Sequence, residues 1–438
     1  MTPIRILIVT HSAVLFTGMA EVIRLIFTSL IQRFPGKYVI EQLGLLHMAA
    51  VCQPPWPIYA TRVTRGHDGV QRLDPNDILG QQSLPEVLER FLPDIVFAHN
   101  DPQNLPFLGD IVRARGCKLV FYVNFDGVPV PSDYKRLFRG AHIVTMSEFS
   151  KSAFLACGRE EEHPSVEVMY CPADTERFQP VTREEKHALR KANFPAWLKT
   201  DSFVIGWVGR NQWRKQVWIL YEVLHLLRSG SYCYCKGCGT VVRDIATQPG
   251  GSCRGCDFVE ATPLRDLFLW LHMPNGKESG CWSLDQLERL FGVRDGEDLL
   301  YTPGCSVDMH LAPEDMPRLY NMWDAFVFPS GGEGFGLPPW EAMASGLPIV
   351  YSNYSSHAEY IRMAGAGLPI GGVLQPDAEN GVLRLVSSVE EAVASVRRLY
   401  RFGELRAELG RRGRQFVEGW SPVTMAEKWD DLFVRILR

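Results

Sequence analysis

Two glutamates, Glu333 and Glu341, lie in a glycine-rich segment, Pro329–Val350, and seven residues separate them. The glycine loop around Glu333 opens a short helix. Such a loop presents backbone N–H groups and the positive end of a helix dipole, and both suit a phosphate. The two carboxylates are poor partners for the phosphate itself, but they suit hydroxyl groups beside it. The segment therefore predicts a site where a phosphate and the hydroxyl groups of a sugar or ribose meet.

The elements that position these glutamates can be predicted from the flanking residues. Ala325–Phe328 and Leu347–Tyr351 are apolar runs that predict strands before and after the loop. A short helix is predicted from about Pro338 to Ser345, because proline fits the first turn of a helix and Gly346 fits its end. The alternative interpretation is a glycine turn with two solvated glutamates.

The two glutamates, followed by Ala342-Met343-Ala344 and Gly346–Val350, resemble the signature of retaining GT-B glycosyltransferases of glycosyltransferase family 4, the glycosyl transferases group 1. The resemblance is specific over residues 203–215 and 324–352 and loose in the first half of the chain. It implies an α/β fold of the GT-B type, in which two Rossmann-like domains face a cleft. It also implies a retaining hexosyltransferase (EC 2.4 class). Such an enzyme moves a sugar from a nucleotide-diphosphate-sugar, here favoured as a UDP- or GDP-sugar, to an acceptor hydroxyl.

A second group of residues follows the strand Phe203–Val208, which opens a nucleotide-type domain. In the resembling family, an arginine just after a strand-end glycine and a lysine a few residues on hold the donor diphosphate. Gly209, Arg210 and Lys215 are the matching residues, and Arg214 competes with Lys215. Fixed cations stabilise a leaving nucleoside diphosphate, which gains charge as the glycosidic bond breaks, so no catalytic metal is expected. The alternative, a basic helix start, is disfavoured because cations oppose the helix dipole there.

The resemblance also implies roles for the glycine-rich loop. Glu333 would bind hydroxyl groups of the donor sugar, and Glu341 would bind those of the ribose. The other donor-binding residues of the loop are Gly334, Phe335, Gly336 and Leu337, the last three through backbone N–H groups. Asn353–Glu359 could close the pocket. No protein nucleophile is assigned, because a glycosidase-type carboxylate pair needs a defined separation that sequence spacing does not establish.

The N-terminal half opens with a buried strand, Ile4–Val9, a glycine-containing loop, and a helix from about Met19 to Arg33. This order predicts a nucleotide-type fold. Gly18 matches a glycine that lies near the donor phosphates in the resembling family. The alternative is a glycine that only the turn requires.

Polar residues also stand where later strands of this half end, and ligands bind at such strand ends in open α/β sheets. They are His99, Asn100 and Asp101, then Asn124, Asp126 and Gly127, then Ser147 and Glu148. Asp126 is assigned to the active cleft, and the assigned catalytic residues are therefore Arg210, Lys215, Glu333 and Asp126. For the strand-end histidine, the alternative is a hydrogen-bonded structural role.

Four cysteines form two Cys-x-x-Cys pairs that 14 residues separate. This spacing predicts a four-cysteine zinc site with the ligands Cys235, Cys238, Cys253 and Cys256. The site would form a zinc ribbon over about residues 231–262, inserted in the second domain. The insert contains no histidine and offers no open position, so a structural metal is favoured over a catalytic one. Cys233 is a spare cysteine that could substitute as a ligand, and the alternative is a set of reduced surface thiols.

The predicted domain organisation is an acceptor-side Rossmann-like domain over residues 1–195 and a nucleotide-sugar-binding Rossmann-like domain over residues 196–420. A C-terminal helix over residues 421–438 is expected, from the resemblance, to cross back to the first domain. No apolar run of 18 residues occurs, so no transmembrane segment is predicted. Eleven cysteines, an odd and clustered set, argue against a secreted disulfide framework and predict a cytoplasmic protein.

Two other classes of function remain open. One is a different enzyme on the same fold, such as a nucleotide-sugar epimerase or a phosphorylase. The other is a degenerate scaffold whose zinc ribbon binds nucleic acid or another partner. The net charge of −4 favours no nucleic-acid partner, and the ribbon's few cations are balanced by acidic residues. A modified nucleic acid as sugar acceptor is a further alternative.

Overall fold

The computed structural model of the chain describes residues 2–47, 53–65, 71–131, 134–157, 166–243, 258–273, 281–303, 305, 311–312, 314–378 and 380–438. The chain divides into two compact units. Unit 1 contains Met1–Asp174 and Gly419–Arg438, and unit 2 contains Thr175–Glu418.

The strands, in chain order, are β1 (Ile4–His11), β2 (Tyr38–Leu45), β3 (Ile58–Ala60), β4 (Val63–Arg65), β5 (Gln71–Leu73), β6 (Ile95–His99), β7 (Lys118–Val123), β8 (Ala141–Thr145), β9 (Val166–Val168), β10 (Phe203–Val208), β11 (Cys233–Cys235), β12 (Val241–Val242), β13 (Phe258–Glu260), β14 (Leu267–His272), β15 (Leu299–Tyr301), β16 (Ala325–Phe328), β17 (Ile349–Ser352), β18 (Gly367–Ile370), β19 (Gly372–Pro376) and β20 (Leu383–Ser387). The helices are α1 (Gly18–Arg33), α2 (Ser83–Phe91), α3 (Leu108–Ala114), α4 (Tyr134–Leu137), α5 (Glu148–Ala156), α6 (Arg183–Asn193), α7 (Val217–Ser229), α8 (Leu284–Phe291), α9 (Met316–Asn321), α10 (Leu337–Ala344), α11 (Ser355–Ala364), α12 (Val389–Arg401), α13 (Gly403–Glu418) and α14 (Pro422–Leu437).

Unit 1 is built, within the described residues, on a seven-stranded parallel sheet with the order β3-β2-β1-β6-β7-β8-β9. Strand β1 is fully buried from Ile6 to Val9, as expected for a parallel strand that is covered on both faces. The strand order reverses between β1 and β6. Their carboxyl ends therefore flank the switch point where ligands bind in such sheets.

The first and last helices of the chain pack together in unit 1. The ring of Phe27 in α1 stacks on that of Phe433 in α14, with 6.3 Å between centroids. Trp429 of α14 meets Phe97 of β6 edge to face at 5.3 Å. Ser421 caps α14 by accepting the Thr424 N–H. The C-terminal residues thus contribute side chains to the core of unit 1.

Unit 2 contains a second parallel sheet, of six strands among the residues described, with the order β15-β14-β10-β16-β17-β18. A Cβ at Gly206 in β10 would lie 1.9 Å from the buried Trp323 ring, so the central strand needs glycine there. The order reverses between β10 and β16. The loops that carry Arg210 and Glu333 follow these two strands, and the topology therefore brings them to one switch point.

The division between the units falls at Asp174, whereas the sequence places it at residue 195. The intervening helix α6 belongs to unit 2 because its cations bind there. Arg190 is buried and donates to the Met322 carbonyl at 2.7 Å and to the Asp324 carboxylate at 2.7 Å. Lys186 pairs with the same carboxylate at 2.9 Å.

The described part of the insert forms a small antiparallel sheet, β12-β11-β13. Arg243 joins this insert to two helices, through ion pairs with Glu222 of α7 at 2.5 Å and with Glu390 of α12 at 2.6 Å. The Arg397 guanidinium of α12 lies 3.3 Å from the centroid of the Tyr234 ring. Among the described residues, no helix is both long and apolar enough to cross a membrane.

Candidate functional site

The loops after β10 and β16 are joined directly at the switch point of unit 2. The Gly331 N–H donates to the Arg214 carbonyl at 2.6 Å, and Arg214 Nη1 donates to the Gly332 carbonyl at 2.9 Å. A Cβ at Gly331 would lie 2.9 Å from the Leu385 carbonyl oxygen and 2.5 Å from Gln216 Nε2, so this close backbone approach favours glycine. These hydrogen bonds therefore hold the two loops together.

The Glu333 carboxylate binds side chains from both loops. Lys215 Nζ lies 2.5 Å from Glu333 Oε1, and Arg214 Nη1 lies 2.9 Å from Glu333 Oε2. The Ser330 hydroxyl donates to Oε1 as well. Lys215 and Glu333 are 7% and 5% exposed, which makes this a buried ion pair. Arg214, which the sequence left in competition with Lys215, binds the same carboxylate.

The electrostatics of the cluster keep Glu333 ionised. Burial by itself would raise the pKa of the Glu333 carboxyl, but the charges of Arg214 and Lys215 and hydrogen bonds from Lys215 and Ser330 hold it well below its usual value. Two cations then face one carboxylate. The three side chains together carry a net positive charge, which suits an anionic ligand.

The other predicted cation, Arg210, lies exposed just after β10. Within the described ranges, Arg210 has no ion-pair partner. The Gly209 N–H donates to the His272 carbonyl at 3.3 Å, which directs the chain out of the sheet. Asn211 then holds the loop, because its side chain donates to the Trp282 carbonyl at 2.7 Å and accepts the Trp282 N–H at 3.1 Å. The structure thus brings Lys215 to Glu333 and leaves Arg210 at the solvent edge.

Glu341 is the fifth residue of α10, and its Oε2 accepts a hydrogen bond from the Tyr320 hydroxyl at 2.7 Å. Burial, and then the charge of Glu341, raise the pKa of the fully buried Tyr320 well above its usual value. The phenol therefore stays protonated and donates. Tyr320 orients this carboxylate, and no sequence pattern predicts the contact because Tyr320 lies on another helix, α9.

The remaining loop residues form the entry to α10. Gly336 has φ +93 and precedes Leu337, the first residue of α10. The Phe335 ring is buried between Trp340 and Tyr360, with centroids at 5.2 and 5.0 Å. A buried ring leaves the backbone as the part of this segment that could reach a ligand. Gly334 lies between Glu333 and Phe335 and is buried as well.

Two residues behind the loop, Ser355 and His357, also contact the site and are not predicted from the sequence. The Ser355 hydroxyl accepts the Glu333 N–H at 2.8 Å, and His357 lies within hydrogen-bonding distance of Ser355 and Ser352. The sequence predicts the segment Asn353–Glu359 only as a cover for the pocket. Since serine and histidine are common in loops, nothing in their spacing indicated contact with Glu333.

In unit 1, the predicted residues gather at the carboxyl ends of β6 and β7. His99 is buried, and its Nδ1 donates to the Tyr122 carbonyl at 2.9 Å. Burial lowers the pKa of His99 to about 4, and a neutral, hydrogen-bonded ring matches the structural alternative.

Asp126 is half-buried after β7. Burial, and then the charges of Asp101 and Asp126, raise the pKa of Tyr134. Gly18 is the first residue of α1 and is exposed.

Two amide atoms at this edge of unit 1 are buried without a hydrogen-bond partner in the described part of the chain. They are Asn100 Nδ2 and Asn124 Oδ1, one a donor and the other an acceptor. Buried polar atoms normally have partners. A ligand that both donates and accepts, such as a hydroxyl group, would satisfy them.

The first Cys-x-x-Cys pair forms a tight turn after β11. The Cys238 N–H donates to Cys235 Sγ at 3.3 Å, and the Gly239 N–H donates to the Cys235 carbonyl at 2.9 Å. The other two predicted ligands, Cys253 and Cys256, lie outside the described residues. Over the residues that are described, no three His, Cys, Asp or Glu side chains are placed to hold a metal.

Comparison with known proteins gives one family match and partial sequence relatives. Residues 299–416 match the family model described as glycosyl transferases group 1, a range that contains both glutamates. The O-antigen chain mannosyltransferase B of Escherichia coli is 48% identical over 56 residues. That alignment covers 13% of this chain and 15% of the relative, so the chain spans far less than two thirds of the relative's length.

Solved structures match over nearly the whole chain. Sucrose-phosphate synthase from Thermosynechococcus elongatus gives a TM-score of 0.70 at 13% identity and covers 99% of both chains. The Anabaena protein HepE, solved with UDP-glucose, gives 0.66 at 15% identity and covers 98% of this chain and 99% of its own. At these identities the likeness establishes the fold. The chain has an α/β fold of the GT-B type with parallel sheets.

Proposed function

We propose that the chain is a retaining glycosyltransferase that moves a hexose from a UDP- or GDP-sugar to an acceptor hydroxyl. The observation that carries this proposal is the buried cluster of Lys215, Arg214 and Glu333 at the switch point of unit 2. It combines fixed positive charge for a diphosphate with a carboxylate for sugar hydroxyls. The matched family range, the mannosyltransferase relative and a similar structure that was solved with UDP-glucose support it.

In this proposal, the charges of Lys215 and Arg210 stabilise the departing nucleoside diphosphate. Glu333 accepts hydrogen bonds from the donor sugar, and Glu341, oriented by Tyr320, accepts them from the ribose. The backbone of Gly334–Leu337 adds N–H donors at the start of α10. Because side chains supply the positive charge, we expect transfer to continue when divalent cations are chelated.

The strand ends of unit 1 would serve the acceptor. Asp126 is placed there, and the buried amide atoms of Asn100 and Asn124 suit a ligand with hydroxyl groups. We assign Asp126 to the acceptor side of the reaction.

We also propose that Cys235, Cys238, Cys253 and Cys256 bind one structural zinc ion. The N–H···S bond within the first pair supports this, since a thiolate held in a tight turn accepts such a bond. Zinc would close the insert that Arg243 joins to α7 and α12.

The test of the donor site is calorimetric titration of UDP, GDP, ADP and TDP into the purified chain, Glu341→Ala and Arg210→Ala. Glu404→Ala and Arg411→Ala, both exposed in unit 2, are the matched controls. We expect one nucleotide to bind and both site variants, but neither control, to weaken it. The preferred base then selects the donors for a transfer assay, and the anomeric configuration of the product reports retention. Failure of a folded chain to bind any of the four would contradict the proposal.

A further inference from the structure

Ser355, behind the glycine-rich loop, has an unusual backbone conformation. It is a buried non-glycine residue with φ +62 at the start of α11. Residues with a Cβ occupy this region sparsely and persist there only where the surroundings enforce it. Its hydroxyl accepts a hydrogen bond from the Glu333 N–H at 2.8 Å. The strained Ser355 therefore contacts Glu333, the carboxylate at the centre of the candidate site.

His357 connects Ser355 to a second serine. The imidazole is fully buried, with Nδ1 3.3 Å from Ser355 Oγ and Nε2 2.9 Å from Ser352 Oγ. The Ser352 hydroxyl in turn donates to the Ser330 carbonyl. The Phe328 ring meets the imidazole edge to face at 5.4 Å, so the ring is held by packing as well.

The protons of this chain of hydrogen bonds can be assigned by counting. Ser352 has one hydroxyl proton and gives it to the Ser330 carbonyl, so it must accept from His357 Nε2–H. A neutral imidazole carries one N–H, which leaves Nδ1 as an acceptor for the Ser355 hydroxyl. Ser355 Oγ then accepts the Glu333 N–H. Each serine hydroxyl in this chain of hydrogen bonds then donates once and accepts once, and both ends of the chain lie on the loop that begins at Ser330.

We infer that His357, as the neutral Nε2–H tautomer, is a positioning residue that holds Glu333 against Lys215 and Arg214 through Ser355 and Ser352. The functional part of this inference rests on the proposed function, in which Glu333 binds the donor sugar. His357 touches no reacting group. It fixes the backbone N–H of Glu333 on one side and the carbonyl of Ser330, whose hydroxyl binds the Glu333 carboxylate, on the other.

Serine variants separate this role from folding. Ser355→Gly removes the hydroxyl but relieves the left-handed conformation, which offsets part of the stability lost with the hydrogen bonds, so the variant is expected to keep the native fold. Ser355→Ala removes the hydroxyl and keeps the unfavourable conformation. Ser356→Ala, the neighbouring buried serine, is the matched control. We expect both Ser355 variants to weaken affinity for the sugar-nucleotide about tenfold or more, with less than about a threefold change for the nucleoside diphosphate.

Histidine variants test the direction of the hydrogen bonds. The side-chain oxygen of His357→Asn lies near the position of Nδ1 and can accept from Ser355, whereas His357→Leu keeps the approximate volume and no polar atom. We expect Asn to recover most of the sugar-nucleotide affinity that Leu loses. Equal losses for Asn and Leu would overturn the role of Nδ1.

Two measurements need no nucleotide. In ¹⁵N-histidine-labelled protein, the signal that His357→Asn removes should show protonated Nε2 and unprotonated Nδ1 at pH 7. Hydrogen exchange of the segment 330–336 should be slow in the native chain and Ser356→Ala, and faster in Ser355→Gly and His357→Leu. The opposite tautomer, or unchanged exchange in those two variants, would overturn the inference. Absence of nucleotide binding by the native chain would contradict the proposed function instead.

Discussion

The Lys215 ammonium lies 2.5 Å from one oxygen of the Glu333 carboxylate, and this contact joins the two loops of the candidate site. Arg214 holds the other oxygen at 2.9 Å. From the sequence, Lys215 is predicted to bind a phosphate and Glu333 to bind sugar hydroxyls, as separate roles. Their contact means that a bound diphosphate would share Lys215 with Glu333, so each residue affects the ligand that the other binds.

Glu333→Gln should destabilise unit 2 while it strengthens diphosphate binding. Removing one partner of a buried ion pair leaves buried positive charge uncompensated, which costs about 3 kcal/mol of unfolding free energy. A nucleoside diphosphate that binds there would restore part of that stability. Denaturant unfolding with and without UDP or GDP measures both effects.

Glu341→Gln is the control for that experiment, because Glu341 is only half-buried and the Tyr320 hydroxyl that donates to it is neutral. We expect a loss below about 1 kcal/mol. Equal destabilisation by the two substitutions would contradict the assigned importance of the Lys215–Glu333 pair.

Lys215→Met should weaken binding of the nucleoside diphosphate about 10- to 100-fold, the usual worth of a charge-assisted hydrogen bond. Glu333 keeps Arg214 as a partner in this variant. Arg210→Met should have a smaller effect that fades with added salt, since Arg210 is exposed. Calorimetry with the diphosphate and with the bare nucleoside distinguishes the outcomes. An equal loss for the nucleoside would assign Lys215 to the base or ribose.

The Glu341 carboxylate and Tyr320 hydroxyl predict a preference for ribose over deoxyribose. Glu341→Ala should remove about a tenfold preference for the ribonucleoside diphosphate over its 2′-deoxy analogue. Tyr320→Phe removes only the hydrogen bond that orients the Glu341 carboxylate, so it should reduce this preference about two- to threefold. Binding constants for the two nucleotides in each variant give the ratio. If the ratio is the same in all three proteins, Glu341 does not contact the 2′-hydroxyl.

Much of this site could be predicted because its signals are local. The strand Ala325–Phe328 agrees with the sequence interpretation to the residue, and the helix begins at Leu337 rather than Pro338. Apolar runs, glycines and prolines dictate these elements through the adjacent backbone. The sequence predicts a boundary at residue 195, which lies 21 residues after the division between the compact units at Asp174, because helix α6 is charge-rich and resembles a linker. Its ion pairs with Asp324 are tertiary and leave no local pattern.

The partners of the glutamates could not be predicted for the same reason. Tyr320, Ser355 and His357 reach the site from α9 and α11, so their roles depend on how unit 2 packs. Sequence spacing identifies residues that a single loop or helix brings together. It does not identify a hydroxyl or imidazole that arrives from another element.

Zinc should bind at one ion per chain and stabilise the insert. Cys235→Ser should abolish zinc binding, because Cys235 is buried in the turn that the first cysteine pair forms. Cys233→Ser, two residues earlier on the same face of β11, is the matched control and should retain the metal. Metal analysis of the purified variants decides this. Loss of zinc in both variants would make Cys233 a ligand, and a metal-free native chain would contradict the site.

Acid should destabilise the protein before its carboxylates are protonated, because two buried histidines resist protonation. Burial lowers the pKa of His99 in unit 1 and of His357 in unit 2 to about 4, from 6.5. Above pH 6.5 the imidazoles are neutral in both folded and unfolded chains. Between pH 6.5 and about 4 only the unfolded chain gains the protons, so unfolding free energy falls as pH falls, and the loss levels off below the folded pKa.

The slope in that window identifies the histidines. Near pH 5, unfolding should take up nearly one proton at each histidine, which corresponds to a change of about 1.4 kcal/mol in unfolding free energy per pH unit. Glu333, with its lowered pKa, contributes stability that is lost only below about pH 4.5, so it does not affect the upper part of the window. Denaturant unfolding from pH 7 to 5 should show a shallower slope for unit 1 in His99→Gln and for unit 2 in His357→Asn. The exposed His187→Gln is the control, and an unchanged slope in both site variants would show that these imidazoles titrate normally in the folded protein.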